Sequence, residues 1–315
     1  MELTDGYLHP SFILCSHSKL KTEKTYDQQH FLYFNIRLFE YDQVLSQYNI
    51  SMKFVVLKLF LFALLTQAAE PKLPLWEYGV GLGYLHFAQY PASNQTTDLL
   101  IPFPTFQYRG NILRADDKEG ARAYILKGHI WSLEFSGFGL PALRSEDNRA
   151  RTGMPDLPWM AHMGPQVVGH LSDAFEFKLG LFQALSTDFK LTKTIGQLID
   201  AKFIYTASTQ IYDVNSFGFL ALELKAASAD YLATYFSVES KFANSDRSFF
   251  DAQSGFLSVE LQYYQAFKIA RTTFYLGISH TDYSRSSNQQ SPLHKSNQNL
   301  STLAGITYTL GESAE

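Results

Sequence analysis

The segment from Phe175 to Leu181, with the sequence Phe-Glu-Phe-Lys-Leu-Gly-Leu, decides the fold. Its large apolar side chains occupy every second position, and Glu176, Lys178 and Gly180 lie between them. Successive side chains of a β-strand point to opposite faces, whereas a helical period would mix the two sets. The segment therefore predicts a strand with one apolar face and one polar face.

The same alternation recurs along the chain and predicts twelve strands. Their predicted ranges are 76–87, 99–109, 111–116, 121–127, 129–139, 158–170, 174–183, 197–208, 217–226, 256–267, 271–281 and 299–310. The segment Tyr231–Lys241 also alternates, but one additional crossing would break the even strand number. We assign it to an extracellular excursion, formed as a strand extension or a short hairpin.

An export signal is the second decisive feature. Met52-Lys53 is followed by an apolar run from Phe54 to Leu65 and by small residues up to Ala69. This order is typical of a secretory signal peptide, and the run is too short for a transmembrane helix. A buried core helix is the alternative. We predict a signal peptide at 52–69, a non-native upstream extension at 1–51 and a barrel domain at 70–315; a genuine cytoplasmic extension is the alternative for 1–51.

Three features favour lipid over a soluble β-sandwich, which would also alternate. The chain is exported without a stop-transfer helix, its strands have the length of tilted membrane strands, and aromatic residues fall near strand ends. The candidates for an aromatic girdle are Trp76, Tyr78, Trp131, Trp159, Tyr263 and Tyr308. The predicted fold class is an all-β, transmembrane, antiparallel up-and-down barrel in the Gram-negative outer membrane, in contact with outer-membrane lipid.

Loop lengths agree with this topology. With both chain ends periplasmic, the long connections fall on the outer side and short ones on the inner side, as in bacterial barrels. The exception is the inner connection 209–216. It and the segment before Trp76 are the sizeable periplasmic features predicted for docking a partner.

Charge and cysteine content exclude several other classes. The formal net charge is −4, which argues against a nucleic-acid partner held through phosphates. A single cysteine, Cys15, excludes a disulfide framework and a cysteine-rich zinc module. The sequence does not give the oligomeric state.

Acidic and basic residues alternate on the polar faces, which would line the lumen of a barrel. The luminal candidates are Glu176, Lys178, Asp200, Lys202, Glu223, Lys225 and Glu260, with Glu77 and Glu134 on the same side. We expect cross-strand ion pairs that brace the wall. A role in conduction is the alternative.

No catalytic, cofactor or metal site is predicted. The histidines after residue 70 are scattered, without metal-ligand spacing. The G-x-G within Gly79–Gly83 lies in an alternating strand and is not followed by a helix, which argues against a dinucleotide site. His280 with Asp282 at the outer rim is the best pair for catalysis, and we expect the protein not to be an enzyme.

Two further stretches resemble a known family. Pro102–Gly110, followed by Gly120–Tyr124, resembles the first block of the MipA/OmpV family of Gram-negative outer-membrane proteins, and Asp147–Trp159 is similar to its second block. The resemblance implies a scaffold that links a murein lytic transglycosylase to a murein polymerase, without cofactors. A narrow porin-like channel for small solutes is the alternative. Unlike the family, the chain continues past Tyr308 and Leu310 instead of closing on an aromatic residue.

The second block lies in a charged outer loop. We hypothesise that this loop folds inward, pairs with luminal charges and constricts the pore; the alternative is a loop that packs on itself at the rim. The constriction candidates are Arg144, Asp147, Arg149, Arg151 and Asp156.

Overall fold

A computed structural model describes residues 74–116, 120–187, 192–211 and 214–314. The predicted signal peptide at 52–69 and the predicted extension at 1–51 lie outside the described residues. The described strands are β1 Trp76–Ala88, β2 Thr96–Arg109, β3 Leu113–Asp116, β4 Gly120–Lys127, β5 Trp131–Leu140, β6 Trp159–His170, β7 Phe175–Thr187, β8 Thr192–Ile211, β9 Val214–Ala227, β10 Gly255–Ile269, β11 Thr272–Asp282 and β12 Gln298–Glu312.

The strands form one closed antiparallel barrel. Each strand pairs with its neighbours in the chain, and β12 pairs with β1 to complete the ring. The predicted up-and-down barrel of twelve strands is therefore confirmed. Because the strand number is even, β1 begins and β12 ends on the same side of the membrane. The loop lengths identify that side as the periplasm.

The outward face is apolar over the height of the barrel. Leu100, Phe106 and Leu276 are 64%, 63% and 54% exposed, as expected where acyl chains cover the wall. Five of the predicted girdle residues are exposed large side chains of this face: Trp76, Tyr78, Trp131, Trp159 and Tyr308. The sixth, Tyr263, is partly covered and donates its hydroxyl to Gln265 Oε1 at 2.9 Å.

The segment predicted as an extracellular strand extension or hairpin is instead a helix, α1 Ala229–Phe236, followed by a 3-10 turn at Ser240–Phe242. Ser228 caps α1 because its side chain accepts a hydrogen bond from the Tyr231 N–H. Tyr231, Leu232, Tyr235 and Phe236 are buried on one side, at helical spacing. The helix lies in the β9–β10 connection, so the assignment as a strand extension or hairpin was wrong, and its extracellular position stays a prediction. In the described part of the chain, no helix combines the length and apolarity needed to cross a bilayer.

A second correction concerns the inner connection predicted at 209–216. β8 continues to Ile211 and β9 begins at Val214, and these two residues pair with each other. Only two residues join the strands, so this connection is no sizeable docking feature on the periplasmic side.

We predict that Leu276→Arg destabilises the barrel by about 2–4 kcal/mol, because it places a charge near the middle of the lipid-facing wall. Leu310→Arg, close to the periplasmic end of β12, should cost only about 0–1 kcal/mol. Reversible urea unfolding from lipid vesicles measures both. Equal costs for the two variants would contradict the membrane placement of these strands.

Candidate functional site

A cavity of about 890 Å³, lined by many charged and polar residues, occupies the lumen. Its lining includes Arg109 and Lys268 near the periplasmic ends of β2 and β10, and Asp173 in the periplasmic turn between β6 and β7. Toward the outside, the lining ends among side chains that include Leu140 and Phe182. The cavity therefore extends from the periplasmic rim into the barrel.

Lys225 and Glu223 organise the charges in the outer half of the cavity. The Lys225 Nζ lies 3.0 Å from Glu260 Oε2 and 3.3 Å from Glu223 Oε2. Lys202 Nζ also lies 3.3 Å from that Glu223 oxygen, which accepts a further hydrogen bond from Gln262 Nε2 at 2.8 Å. Glu223 and Glu260 are directly opposite in the ladder, so Lys225 offsets their mutual repulsion.

A second group of charges lies at the periplasmic mouth. Glu77 is 5% exposed. Its Oε1 lies 2.7 Å from Arg109 Nη2, and its Oε2 lies 2.9 Å from Lys268 Nζ. β2 is the neighbour of β1 and β10 lies three strands away in the other direction around the barrel, so this carboxylate links two parts of the mouth. A buried carboxylate is tolerated only when it is paired in this way.

The remaining predicted charges also lie on the interior face. Glu176 contacts Lys178 at 3.7 Å and His170 Nδ1 at 3.0 Å, and Glu134 contacts Arg122 at 3.9 Å. The cavity lining contains six of the seven luminal candidates, and Glu260 reaches the same network through Lys225. The lining carries both signs of charge, and whether these residues take part in conduction stays a prediction.

The extracellular end of the lumen is filled by a buried apolar cluster, which we call the outer plug. It combines residues from the outer loops, from α1 and from the outer parts of the strands. Its members are Tyr90, Ala92, Leu157, Met160, Phe182, Ala184, Leu198, Ala227, Tyr231, Leu232, Tyr235, Phe236, Val238, Ala252, Leu257, Tyr283 and Leu293. Phe182 belongs to both the plug and the cavity lining, so the plug forms the outer limit of the cavity.

Arg151 fixes α1 within the plug. Its guanidinium lies 3.5 Å from the backbone oxygens of Thr234 and Tyr235 in the last turn of α1, and 5.7 Å from the centre of the Tyr90 ring. A cation at this end of a helix interacts favourably with the unsatisfied carbonyls. Burial lowers the pKa of Arg151 below the ordinary value of a guanidinium.

Other loops contact the same end of α1 and one another. Ser291 Oγ donates to the Phe236 backbone oxygen at 2.6 Å, and Tyr90 Oη donates to the Leu293 backbone oxygen at 2.8 Å. Burial raises the pKa of Tyr90 to about 12, so this hydroxyl stays protonated and remains a donor at the pH of the cell envelope. Three outer connections are thereby tied to one another.

The first turn of α1 packs against two residues of the barrel wall. Tyr231 Oη lies 3.2 Å from Nε2 of His162, whose ring stacks on Phe138 at 4.4 Å between centroids. Gly196 has a φ of +110°, and a Cβ there would lie 2.5 Å from the Tyr231 nitrogen. A glycine at this position allows both the backbone conformation and the close approach of the helix.

The loop candidates lie at the rim and not in the lumen. Arg144, Asp147, Arg149 and Asp156 are exposed, and Arg151 is buried among loop atoms. The hydrogen bonds of Arg151 go to Ser145, Pro155 and α1 instead of luminal carboxylates. The hypothesised pairing with luminal charges is therefore replaced by packing between loops, and an effect of this loop on conduction stays a prediction.

The strand topology and the site now allow a comparison with known proteins. The family model described as MltA-interacting protein MipA matches residues 80–310. The chain belongs to the MipA family. The resemblance carried by the two sequence blocks is confirmed, and the protein is an outer-membrane barrel of the Gram-negative envelope.

Solved structures similar to this MipA-family chain are distant. LpxR from Salmonella typhimurium is 8% identical over 72% of this chain and 99% of its own, with a TM-score of 0.32. A bacterial polysaccharide outer membrane secretin is 8% identical over 76% and 100%, with a TM-score of 0.35. OprB from Pseudomonas putida is 8% identical over 75% and 94%, with a TM-score of 0.27. No curated protein matches the chain.

The pair considered for catalysis faces away from the lumen of this MipA-family barrel. Thr273 and Tyr275 line the cavity, so His280, at the opposite parity on β11, faces outward, and it is exposed. Asp282 accepts a hydrogen bond from the Ser284 N–H at 2.7 Å, as a turn residue does. Among the described residues, no three His, Cys, Asp or Glu side chains converge on a common metal position.

We predict that Lys225→Met destabilises the barrel by about 1–3 kcal/mol, because Glu223 and Glu260 lose the cation between them. Lys202→Met serves as the control and should cost less, since Lys225 still neutralises Glu223. Urea unfolding in vesicles at neutral pH gives both values. If the two variants lose equal stability, Lys225 is not the centre of the network.

Proposed function

We propose that this MipA-family barrel is a non-enzymatic envelope scaffold that presents a periplasm-facing cavity and rim to other proteins of the cell envelope. The observation that carries the proposal is the asymmetry of the lumen. The outer plug fills the extracellular end, whereas the charged cavity reaches the periplasmic strand ends. Fully buried side chains of the outer plug, such as Leu232, Phe236 and Leu293, support a closed extracellular end.

The partners proposed are a murein lytic transglycosylase and a murein polymerase. Support comes from the name of the matching family model, which describes its member as interacting with MltA. The described inner turns are short, so the docking surface would comprise the rim of the barrel and the chain before Trp76. The paired charges at the mouth, around Glu77, are within reach of such a partner.

A narrow channel for small solutes is the second candidate. The luminal cavity favours it, because side chains of both charge signs line that cavity. On our proposal, conduction through this barrel would require the outer plug, which includes four side chains of α1, to move.

We expect purified wild-type protein to give little steady current in a planar lipid bilayer. Leu232→Asp places a charge at a side chain that is 0% exposed, so it should displace α1 and produce stable current steps. Asp230→Asn, at an exposed position of the same helix, is the control and should stay closed. Steady wild-type current equal to that of Leu232→Asp would favour the channel.

The scaffold requires a separate test. We expect the wild-type barrel to co-purify from envelope extracts with murein-cleaving and murein-synthesising enzymes, and we expect Leu232→Asp to retain them because the periplasmic rim is unchanged. Removal of the paired mouth charges by Glu77→Gln together with Lys268→Met should weaken the capture. Recovery of the barrel without any murein enzyme, under conditions where it is folded, would contradict the scaffold.

A further inference from the structure

Three arginines lie side by side on the luminal wall near the periplasmic mouth. Arg109 of β2 is directly opposite Arg114 of β3, and Arg114 is directly opposite Arg122 of β4. Each of them lines the luminal cavity. Adjacent strands are about 4.8 Å apart, so the backbones that carry these cations span only about 10 Å. We call Arg109, Arg114 and Arg122 the arginine row.

The arginine row places like charges where the ladder brings side chains closest together. Like charges directly opposite each other destabilise a sheet unless a counter-charge lies between them. The carboxylates of Glu223 and Glu260 are also directly opposite, and Lys225 lies 3.3 Å and 3.0 Å from them. A counter-charge is therefore expected beside the arginine row as well.

Carboxylates of the chain lie at the two ends of the row. At one end, Arg109 Nη2 is 2.7 Å from Glu77 Oε1, and at the other end Arg122 Nε is 3.9 Å from Glu134 Oε2. Glu77 also contacts Lys268 at 2.9 Å, so one carboxylate serves two cations there. The ends of the row are thus partly neutralised by the barrel itself.

Arg114, in the middle of the row, contacts a backbone oxygen and an aromatic ring. Its Nε donates to the Gly110 backbone oxygen at 3.2 Å, and its guanidinium carbon lies 5.7 Å from the centre of the Tyr124 ring. Among the side chains that the structure describes, no carboxylate lies at ion-pair distance from Arg114. A ring beneath a guanidinium orients its planar fork without neutralising it. The middle of the row therefore presents a cation to the cavity.

The chemistry of the row fits a phosphate group. A guanidinium offers parallel N–H donors that match two oxygens of a carboxylate or a phosphate. A carboxylate fills one such fork, whereas the additional oxygens of a phosphate can accept from neighbouring arginines at the same time. Gln107 and Ser136 line the cavity beside the row and add neutral donors.

The cavity also determines where the ligand comes from. Its volume of about 890 Å³ is in the range of small-molecule sites, and it reaches the periplasmic strand ends. We propose that the arginine row is a binding site for the phosphate group of a soluble periplasmic molecule, which is held over Arg114 inside the barrel.

Calorimetric titration with inorganic phosphate tests this site on the barrel purified in a detergent without phosphate. We expect the wild type to bind phosphate, and Arg114→Gln to bind at least about tenfold more weakly, because it loses a charge-assisted contact. Arg271→Gln, exposed in the turn between β10 and β11, is the matched control and should bind as the wild type does. Succinate, whose charges are on carboxylates, should bind more weakly than phosphate.

Urea unfolding separates a ligand site from a structural role of Arg114. In chloride buffer, Arg114→Gln should be at least as stable as the wild type, because it removes the middle one of three adjacent like charges. Phosphate should raise the unfolding midpoint of the wild type and leave that of Arg114→Gln unchanged. Should Arg114→Gln not fold, Arg114→Lys keeps the charge, loses the fork and should show weakened phosphate binding.

Equal phosphate affinity in the wild type and Arg114→Gln, or no binding by the wild type at millimolar phosphate, would overturn the proposal. Succinate that binds as tightly as phosphate would also contradict it. So would a loss of stability in Arg114→Gln that is the same with and without phosphate, because it would show a structural role alone. None of these results depends on whether the barrel binds murein enzymes.

Discussion

The structure depends on satisfying the backbone of every strand within a bilayer that offers no hydrogen-bonding partner. A closed ladder meets this requirement, and pairing of β12 with β1 completes it. Closure then separates the two faces that alternate along each strand. Apolar side chains such as Phe106 and Leu276 face lipid, while charged ones such as Glu223 and Lys225 face an enclosed space.

Because the lumen is enclosed, each buried charge is stabilised by oppositely charged side chains beside it. Glu77 is almost fully buried and is held by cations from the neighbouring strand β2 and from the more distant β10, and Glu223 is shared by Lys202 and Lys225. The outer plug adds a second, apolar interior at the extracellular end. The result is a lumen with two chemically distinct halves, one charged and reaching the periplasm, the other dry and composed largely of loop side chains.

Most of the barrel follows from sequence periodicity. All twelve strands were predicted, because a period of two places the lipid-facing and luminal residues without knowledge of any partner strand. The ion pairs of Lys225 also follow from that period, since Glu223, Lys225 and Glu260 share a face. Their exact partners depend on register, which one sequence does not provide.

The outer plug was missed because it arises from contacts between loops far apart in the chain. A local signal existed for α1: Ser228 precedes a segment in which Tyr231 with Tyr235, and Leu232 with Phe236, are four residues apart. The outer plug could not be predicted, because one sequence does not show which loops contact one another.

The central claim is that the cavity opens to the periplasm and is closed to the outside. It is tested most directly by cysteine labelling of Thr309→Cys, at the periplasmic mouth, and Ser245→Cys, in the exposed β9–β10 loop. The reagent is an impermeant maleimide too large for general porins. In intact cells we expect labelling at position 245 alone, with labelling at position 309 only after the outer membrane is disrupted. Equal labelling of both positions in intact cells would contradict the account.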